Sequence, residues 1–289
     1  MLRIMVALLS LARFAHADAK QDIEGLVRQH LATITDDKAK APAITNDIVM
    51  IVPVHFTSNR LVNWYGAKAD QVVQKLGPLT TVVNPEKHVA WFHGTVEANL
   101  RLTVCGDPGC VDDKLPAHQV RQNKAWRISG IAVDDKGWKL AAVMWSEVVK
   151  DAELMKHVDP DAARDQPAQH GDEAPAKAFA SWFTTGSLAA AQSKQALVVA
   201  NGTSPSELAV GAAAANKLAK SWDALKLWSS QVNSKLFANG AIAFVHGDVW
   251  IPGKPKGGIK LELGAIMVPE DGGWKWVSLD FKADDNPSH

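Results

Sequence analysis

The chain has 289 residues, with 31 basic and 31 acidic side chains that leave no formal net charge. Its 47% hydrophobic and 21% charged content is that of a globular protein and excludes a disordered chain. Zero net charge also removes the basic footprint expected of a nucleic-acid binder or of a protein held on anionic lipid.

The first elements read as an export signal over residues 1–17. Met1-Leu2-Arg3 gives a short positive start, Ile4 to Ala12 an apolar run, and Ala15-His16-Ala17 a small-residue cleavage pattern before Asp18. Arg13 interrupts the apolar tail, and the competing reading is a frayed extension of the first helix. No later run approaches the about 18 to 20 apolar residues of a membrane span. Removal of the signal predicts a periplasmic or secreted protein without membrane attachment.

Gln21 to Ala32 places Ile23, Leu26, Val27 and Leu31 at helical spacing. Ile48 to Val52 and Arg60 to Tyr65 suggest a hairpin, after which Gly66 opens a helix predicted over Ala67 to Leu76 and ended by Gly77-Pro78. Three long strands are then predicted: His88 to Val104, His118 to Val133, and Trp138 to Val149. In Trp138 to Trp145 both alternations are apolar, so neither sheet face is expected to be wet. Cys105 and Cys110 are the only cysteines and enclose the turn sequence Gly106-Asp107-Pro108-Gly109. In an oxidising compartment they read as a local disulfide; two free thiols are the alternative. With only His118 nearby, a metal site lacks ligands.

Asp151 to Ala174 is rich in Asp, Ala, Gln and Pro, and its middle reads as a linker. The element order then restarts: a helix from Pro175 to Gln192, short strands flanking Asn201-Gly202, and a helix from Gly211 to Leu225. Strands follow at Leu227 to Ala238, Ala241 to Ile251, Ile259 to Val268 and Trp274 to Lys282. Two sequence echoes support the restart. Val89-Ala-Trp-Phe-His-Gly-Thr-Val96 returns as Ile242-Ala-Phe-Val-His-Gly-Asp-Val249, and Gly130 to Lys139 returns as Ala265 to Lys275. Repeats with so long a period indicate a tandem of globular units. The expected division is a signal at 1–17, a first domain at 18–152, a linker at 153–171 and a second domain at 172–289.

Ala90-Trp-Phe-His-Gly94, the stretch Gly137 to Ser146, and Tyr65-Gly66 before the predicted helix resemble the SnoaL-like branch of the nuclear transport factor 2-like superfamily. Ala243 to Gly247, Gly273-Trp274-Lys275 and Gly211 occupy the matching places in the second half. The resemblance implies an α+β fold class: two tandem cone-shaped domains, each a curved antiparallel sheet wrapped around helices and open over a pocket. It further implies an intramolecular pseudo-dimer through the outer sheet faces, hence a monomer in solution. Fold does not choose the function, because the family holds isomerases, dehydratases and cyclases beside non-catalytic binding members.

Candidate ligand-binding residues are Tyr65, His93, His246, Trp276 and Asp280. His93 and His246 are matched mid-strand histidines; each is either a pocket contact or a buried, hydrogen-bonded side chain. Asp280, with Trp274, Trp276 and Ser278 expected on its face, is either a pocket carboxylate or a surface residue at a strand end. Asn201-Gly202-Thr203 matches a glycosylation acceptor but reads more simply as a turn. No phosphate loop, nucleophile elbow, zinc spacing or dinucleotide fingerprint occurs, and no cofactor is expected. The leading expectation is an exported, non-catalytic module binding an apolar or amphipathic small molecule. The alternatives are a cofactor-free isomerase, dehydratase or cyclase using acid–base chemistry, and a structural protein with filled cones.

The export reading predicts a mature protein that starts at Asp18 with Cys105 bonded to Cys110. N-terminal sequencing and thiol titration under denaturing conditions check both; a start at Met1 with two titratable thiols contradicts it.

Overall fold

The computed structural model describes residues 18–33, 38–51, 67–104, 118–149, 154, 158–162, 169–252 and 257–283. The expected signal, Tyr65, and Cys105 with Cys110 lie outside those residues. The chain separates into two compact units, one of Met1–Lys124 with Gly130–Val143 and one of Ala125–Ser129 with Met144–His289.

In the first unit, helix α1 (18–33) buries Ile23, Leu26, Val27, His30 and Leu31. These positions recur at three- and four-residue steps, so they form one stripe of the helix. A six-stranded sheet is built from β1 (Ile44–Ile51), β2 (Ala67–Leu76), β3 (Thr80–Asn84), β4 (Val89–Val104), β5 (His118–Asp134) and β6 (Trp138–Glu147), of which residues 125–129 and 144–147 belong to the second unit. Its order is β1-β6-β5-β4-β2, with β3 also on β4. The β5–β6 turn places Lys136 and Gly137 at positive φ, and Asp134 Oδ1 accepts a 3.0 Å hydrogen bond from Gly137 N.

Residues 67–76 correct the sequence reading. They form strand β2 rather than a helix, paired antiparallel to β4 with Leu76 opposite Val96 and Lys75 opposite Glu97. At 16 residues, β4 extends well past β3, and an open edge would leave its backbone groups unpaired. Adjacent β-branched Val72 and Val73 suit a strand, and a short apolar run does not by itself separate the two periods. Gly77-Pro78, read as a helix stop, instead links two strands lying along the same neighbour. Gly77 N donates to Thr95 O at 2.8 Å, and a Cβ on Gly77 would lie 2.6 Å from Thr95 Oγ1.

The second unit contains α2 (Ala174–Thr185), ended by Gly186 in the left-handed conformation, and α3 (Ala212–Ala224), entered through Gly211 at φ 98°. Its eight-stranded sheet comprises β7 (Val158–Asp159), β8 (Gln169–His170), β9 (Val199–Asn201), β10 (Leu208–Val210), β11 (Trp228–Phe237), β12 (Ile242–Pro252), β13 (Gly258–Glu270) and β14 (Gly273–Ala283). The order is β10-β9-β14-β13-β12-β11-β8, with β7 on β13. Long strands β11 to β14 pair antiparallel, while β9 lies parallel to β14 and β8 parallel to β11. In both sheets a strand from upstream flanks the last strand of the meander, β1 beside β6 and β9 beside β14. The α+β class expected from the sequence is the class observed. The run Leu140 to Trp145 is fully buried on both alternations, as its doubly apolar pattern requires.

Helix packing fixes which sheet face is the interior of the second unit. Trp222 of α3 packs edge-on against Phe281 at 4.6 Å, and Phe179 of α2 lies 5.2 Å from Phe183 and 5.6 Å from Trp182. Trp276 Nε1 donates to Leu188 O at 2.7 Å, so Trp276 belongs to this same helix-covered interior.

Candidate functional site

The sequence-predicted residues of the second unit fall on two different sheet faces. Ser278 is opposite Ile266 while Trp276 is opposite Met267, so Val277 is an extra residue in β14. A bulge of this kind breaks the alternation of side chains. Trp276 therefore points to the helices, whereas Ser278 and Asp280 share the opposite face. Phe281, next to Asp280, meets Trp222 on the helix side, as strict alternation requires.

On the helix-free face one row of directly opposed residues crosses five strands: Asn233, His246, Gly264, Asp280 and Asn201. Asn233 is exposed and His246 half-buried, while Asp280 is 2% and Asn201 0% exposed. His246 and Asp280 are thus brought onto one face but stand two strand spacings apart, about 10 Å. Gly264 between them has no side chain, and a Cβ there would collide with Met144 Sδ. Methionine sulfur, rather than a ligand-sized gap, occupies the space between histidine and carboxylate.

Asp280 is fully engaged. Its Oδ1 accepts from Asn201 Nδ2 at 2.9 Å and its Oδ2 from Ser278 Oγ at 2.9 Å. Asn201 Oδ1 in turn accepts from Arg127 Nη1, a buried guanidinium at 3% exposure. Arg127, which belongs to the same unit, also donates to the carbonyl oxygens of Gly202 at 2.7 Å, Ser204 at 2.9 Å, Glu207 at 3.2 Å and Pro205 at 3.3 Å. Five acceptors thus surround one guanidinium, and the β9–β10 loop is folded around it. Glu207 closes the loop: its carboxylate accepts from Ser204 N at 3.2 Å and Trp222 Nε1 at 3.4 Å. Burial pulls the Arg127 guanidinium down from its ordinary value, and the negative charges of Asp280 and Glu207 oppose that pull.

Sequence reasoning missed Arg127, and a signal was present. The residue stands mid-strand between Trp126 and Ile128, a charge within an apolar run. Asn201 was read as a turn or glycosylation acceptor; complete burial and its bond to Asp280 leave its amide no access to a modifying enzyme.

His246 stacks on Phe244 with ring centroids 6.2 Å apart. Burial lowers its pKa, against the opposing charges of Glu262 and Asp248. Asp248 itself is paired with Lys260 at 3.3 Å. In the first unit, His93 is 3% exposed on β4, opposite Thr80. His30 on α1 is also buried, and desolvation lowers its pKa from 6.5 to about 4. Among the described residues no group of three or more His, Cys, Asp or Glu side chains could hold a metal ion, and no helix is long and apolar enough to cross a membrane.

The first unit carries two open grooves that meet at α1. The larger, about 760 Å³, runs along Gln21, Asp22, Gly25, Leu26 and Gln29 beside Trp138. The smaller, about 360 Å³, is bounded by Lys75 to Leu79, Thr95 and Glu97. Glu24 and Arg28 line both.

No family model matches this chain, and no curated protein matches it. Among solved structures, it is similar to a protein from Xanthomonas campestris described as a calcium/calmodulin-dependent protein kinase II association domain. That likeness has 15% identity and a TM-score of 0.34, covering 45% of this chain and 99% of that one. An Ntf2-like protein involved in plasmid conjugation aligns at 12% identity and a TM-score of 0.23, over 84% of this chain and 93% of that one. The orange carotenoid protein of Anabaena (Nostoc), which binds canthaxanthin, aligns at 10% identity and a TM-score of 0.31, over 45% of this chain and 42% of that one.

Burial of neutral His30 makes stability pH-dependent. The unfolded chain takes up the proton near 6.5 and the native state only near 4, so stability is complete above about 6.5 and falls as the pH drops between these values. The expected loss from this one group is about 3 kcal/mol, from the factor of about 1.4 kcal/mol per pKa unit. Urea unfolding at pH 7 and pH 4 should register it, and His30→Leu should shrink the acid loss by that amount. An acid loss unchanged in the variant contradicts a buried neutral imidazole.

Proposed function

We propose that the chain is a non-catalytic binding module for an amphipathic small molecule, built from two tandem copies of a SnoaL-like unit that have diverged. The paired sequence echoes and the shared strand order support a duplication. In this reading the protein is exported and acts as a monomer, with the first unit holding the ligand.

The observation that carries the reading is the contrast between the two units. Acid–base catalysis would use a carboxylate and a histidine converging on a cleft. In the second unit the buried carboxylate is bonded to Asn201 and Ser278, and Met144 fills the gap toward His246. Aromatic side chains pack the helix-covered side of the same sheet. The first unit has open grooves within the size range of small-ligand sites, with Leu26, Leu76, Leu79 and Trp138 beside charged and amide groups. Such a mixed lining suits an amphiphile better than a purely apolar molecule.

Native mass spectrometry with N-dodecyl-N,N-dimethylglycine, below its micelle concentration, checks the reading. A one-to-one adduct is expected, and Gly25→Phe should weaken it about tenfold or more by filling the groove. The variant should remain folded, because a Cβ at Gly25 meets nothing within 4 Å and replacing a helix-interior glycine by Phe gains about 0.3 kcal/mol of helix propensity. No adduct, or one indifferent to Gly25→Phe, contradicts the site.

A further inference from the structure

We infer that the ligand of the α1 grooves carries a zwitterionic head group, recognised by two cations and two carboxylates around the smaller groove; the inference rests on the binding reading above. Arg28 donates through both Nε, at 3.0 Å, and Nη2, at 2.6 Å, to a single oxygen of Glu24. This contact fixes the guanidinium plane at the junction of the two grooves and leaves Arg28 Nη1 and Glu24 Oε2 without partners among the described residues. Both side chains are half-exposed, at 55% and 44%. Lys75 and Glu97 face each other across β2 and β4 on the rim of the smaller groove. Both are exposed, and no ion pair joins them among the described residues.

The rim therefore carries two charges of each sign, Arg28 and Glu24 joined to each other and Lys75 and Glu97 in no ion pair among the described residues, with Leu76, Pro78 and Leu79 beside them. A singly charged head group would meet repulsion from one half of this set as well as attraction from the other. A molecule with an anionic and a cationic centre a few ångströms apart satisfies both halves. Its anion takes the free edge of the guanidinium, where planar bidentate hydrogen bonding is strongest, or the Lys75 ammonium. Its cation lies against the carboxylates of Glu24 and Glu97. The apolar tail follows the larger groove past Gly25 and Leu26 to Trp138. The recognition is short-ranged, because charges this exposed are screened beyond about 8 to 10 Å at ordinary ionic strength.

Three amphiphiles with the same twelve-carbon tail test this: zwitterionic N-dodecyl-N,N-dimethylglycine, anionic dodecanoate and cationic dodecyltrimethylammonium. Titration calorimetry of the full chain is run with each below its micelle concentration. The zwitterion is expected to bind about tenfold or more tightly than either ion. Arg28→Gln and Lys75→Gln alter exposed side chains, and both should narrow the zwitterion's advantage over the cation. Equal or tighter binding of dodecanoate or of dodecyltrimethylammonium to the wild type overturns the zwitterion inference while leaving the binding function standing. An unchanged preference in both variants overturns the role given to these charges, and failure of all three to bind overturns the binding reading with it.

Discussion

The buried guanidinium of Arg127 organises one end of the sheet in the second unit. Arg127 cannot be left uncompensated away from water, and its charge is met by Asn201, by the carbonyls of the 202–207 loop, and through Asn201 by the carboxylate of Asp280. Each of these groups would itself be costly if buried alone. Together they form a network in which every charged end has a partner. Its consequence is geometric: the β9–β10 loop is wrapped around the guanidinium, and β9 is held parallel to β14 at the level of Asp280.

The same network holds a carboxylate on an aromatic-rich strand through Asn201 and Ser278. Asp280 lies on the sheet face away from α2 and α3, because the bulge at Val277 returns Trp276 to the helix side. Gly264 makes room for Met144, which separates Asp280 from His246. At one end of the five-strand row, Asn201 and Asp280 are held by each other and by Arg127. The first unit keeps open grooves along α1, lined by the Arg28–Glu24 ion pair and by Lys75 and Glu97.

Much of this fold could be read from the chain alone. Long strands with Trp, Val and Ile, the turn at Asp134 to Gly137, and glycine at the entry to α3 all lie where local chemistry placed them. Residues 67–76 escaped, because their state is decided by the unpaired edge of β4, a partner about 30 residues away that no local window contains. The site was legible only in part. Asp280 and His246 were found as polar residues in apolar strands, but the bulge that sorts Trp276 from Asp280 is a backbone event without a residue signature. Arg127 was overlooked although its setting between Trp126 and Ile128 is a plain anomaly; its meaning depends on a loop 75 positions downstream.

The most direct test is a double-mutant cycle on Arg127→Met and Asp280→Asn, read by urea unfolding at pH 7. If the two charges stabilise one network through Asn201, Arg127→Met alone should cost about 3 to 5 kcal/mol, as loss of one partner of a buried charge pair does. The double variant should then fall short of the summed single costs by about 1 to 3 kcal/mol. Strict additivity, or single costs below about 1 kcal/mol, would mean that the carboxylate is not held by the guanidinium, and Asp280 would return as a candidate for chemistry.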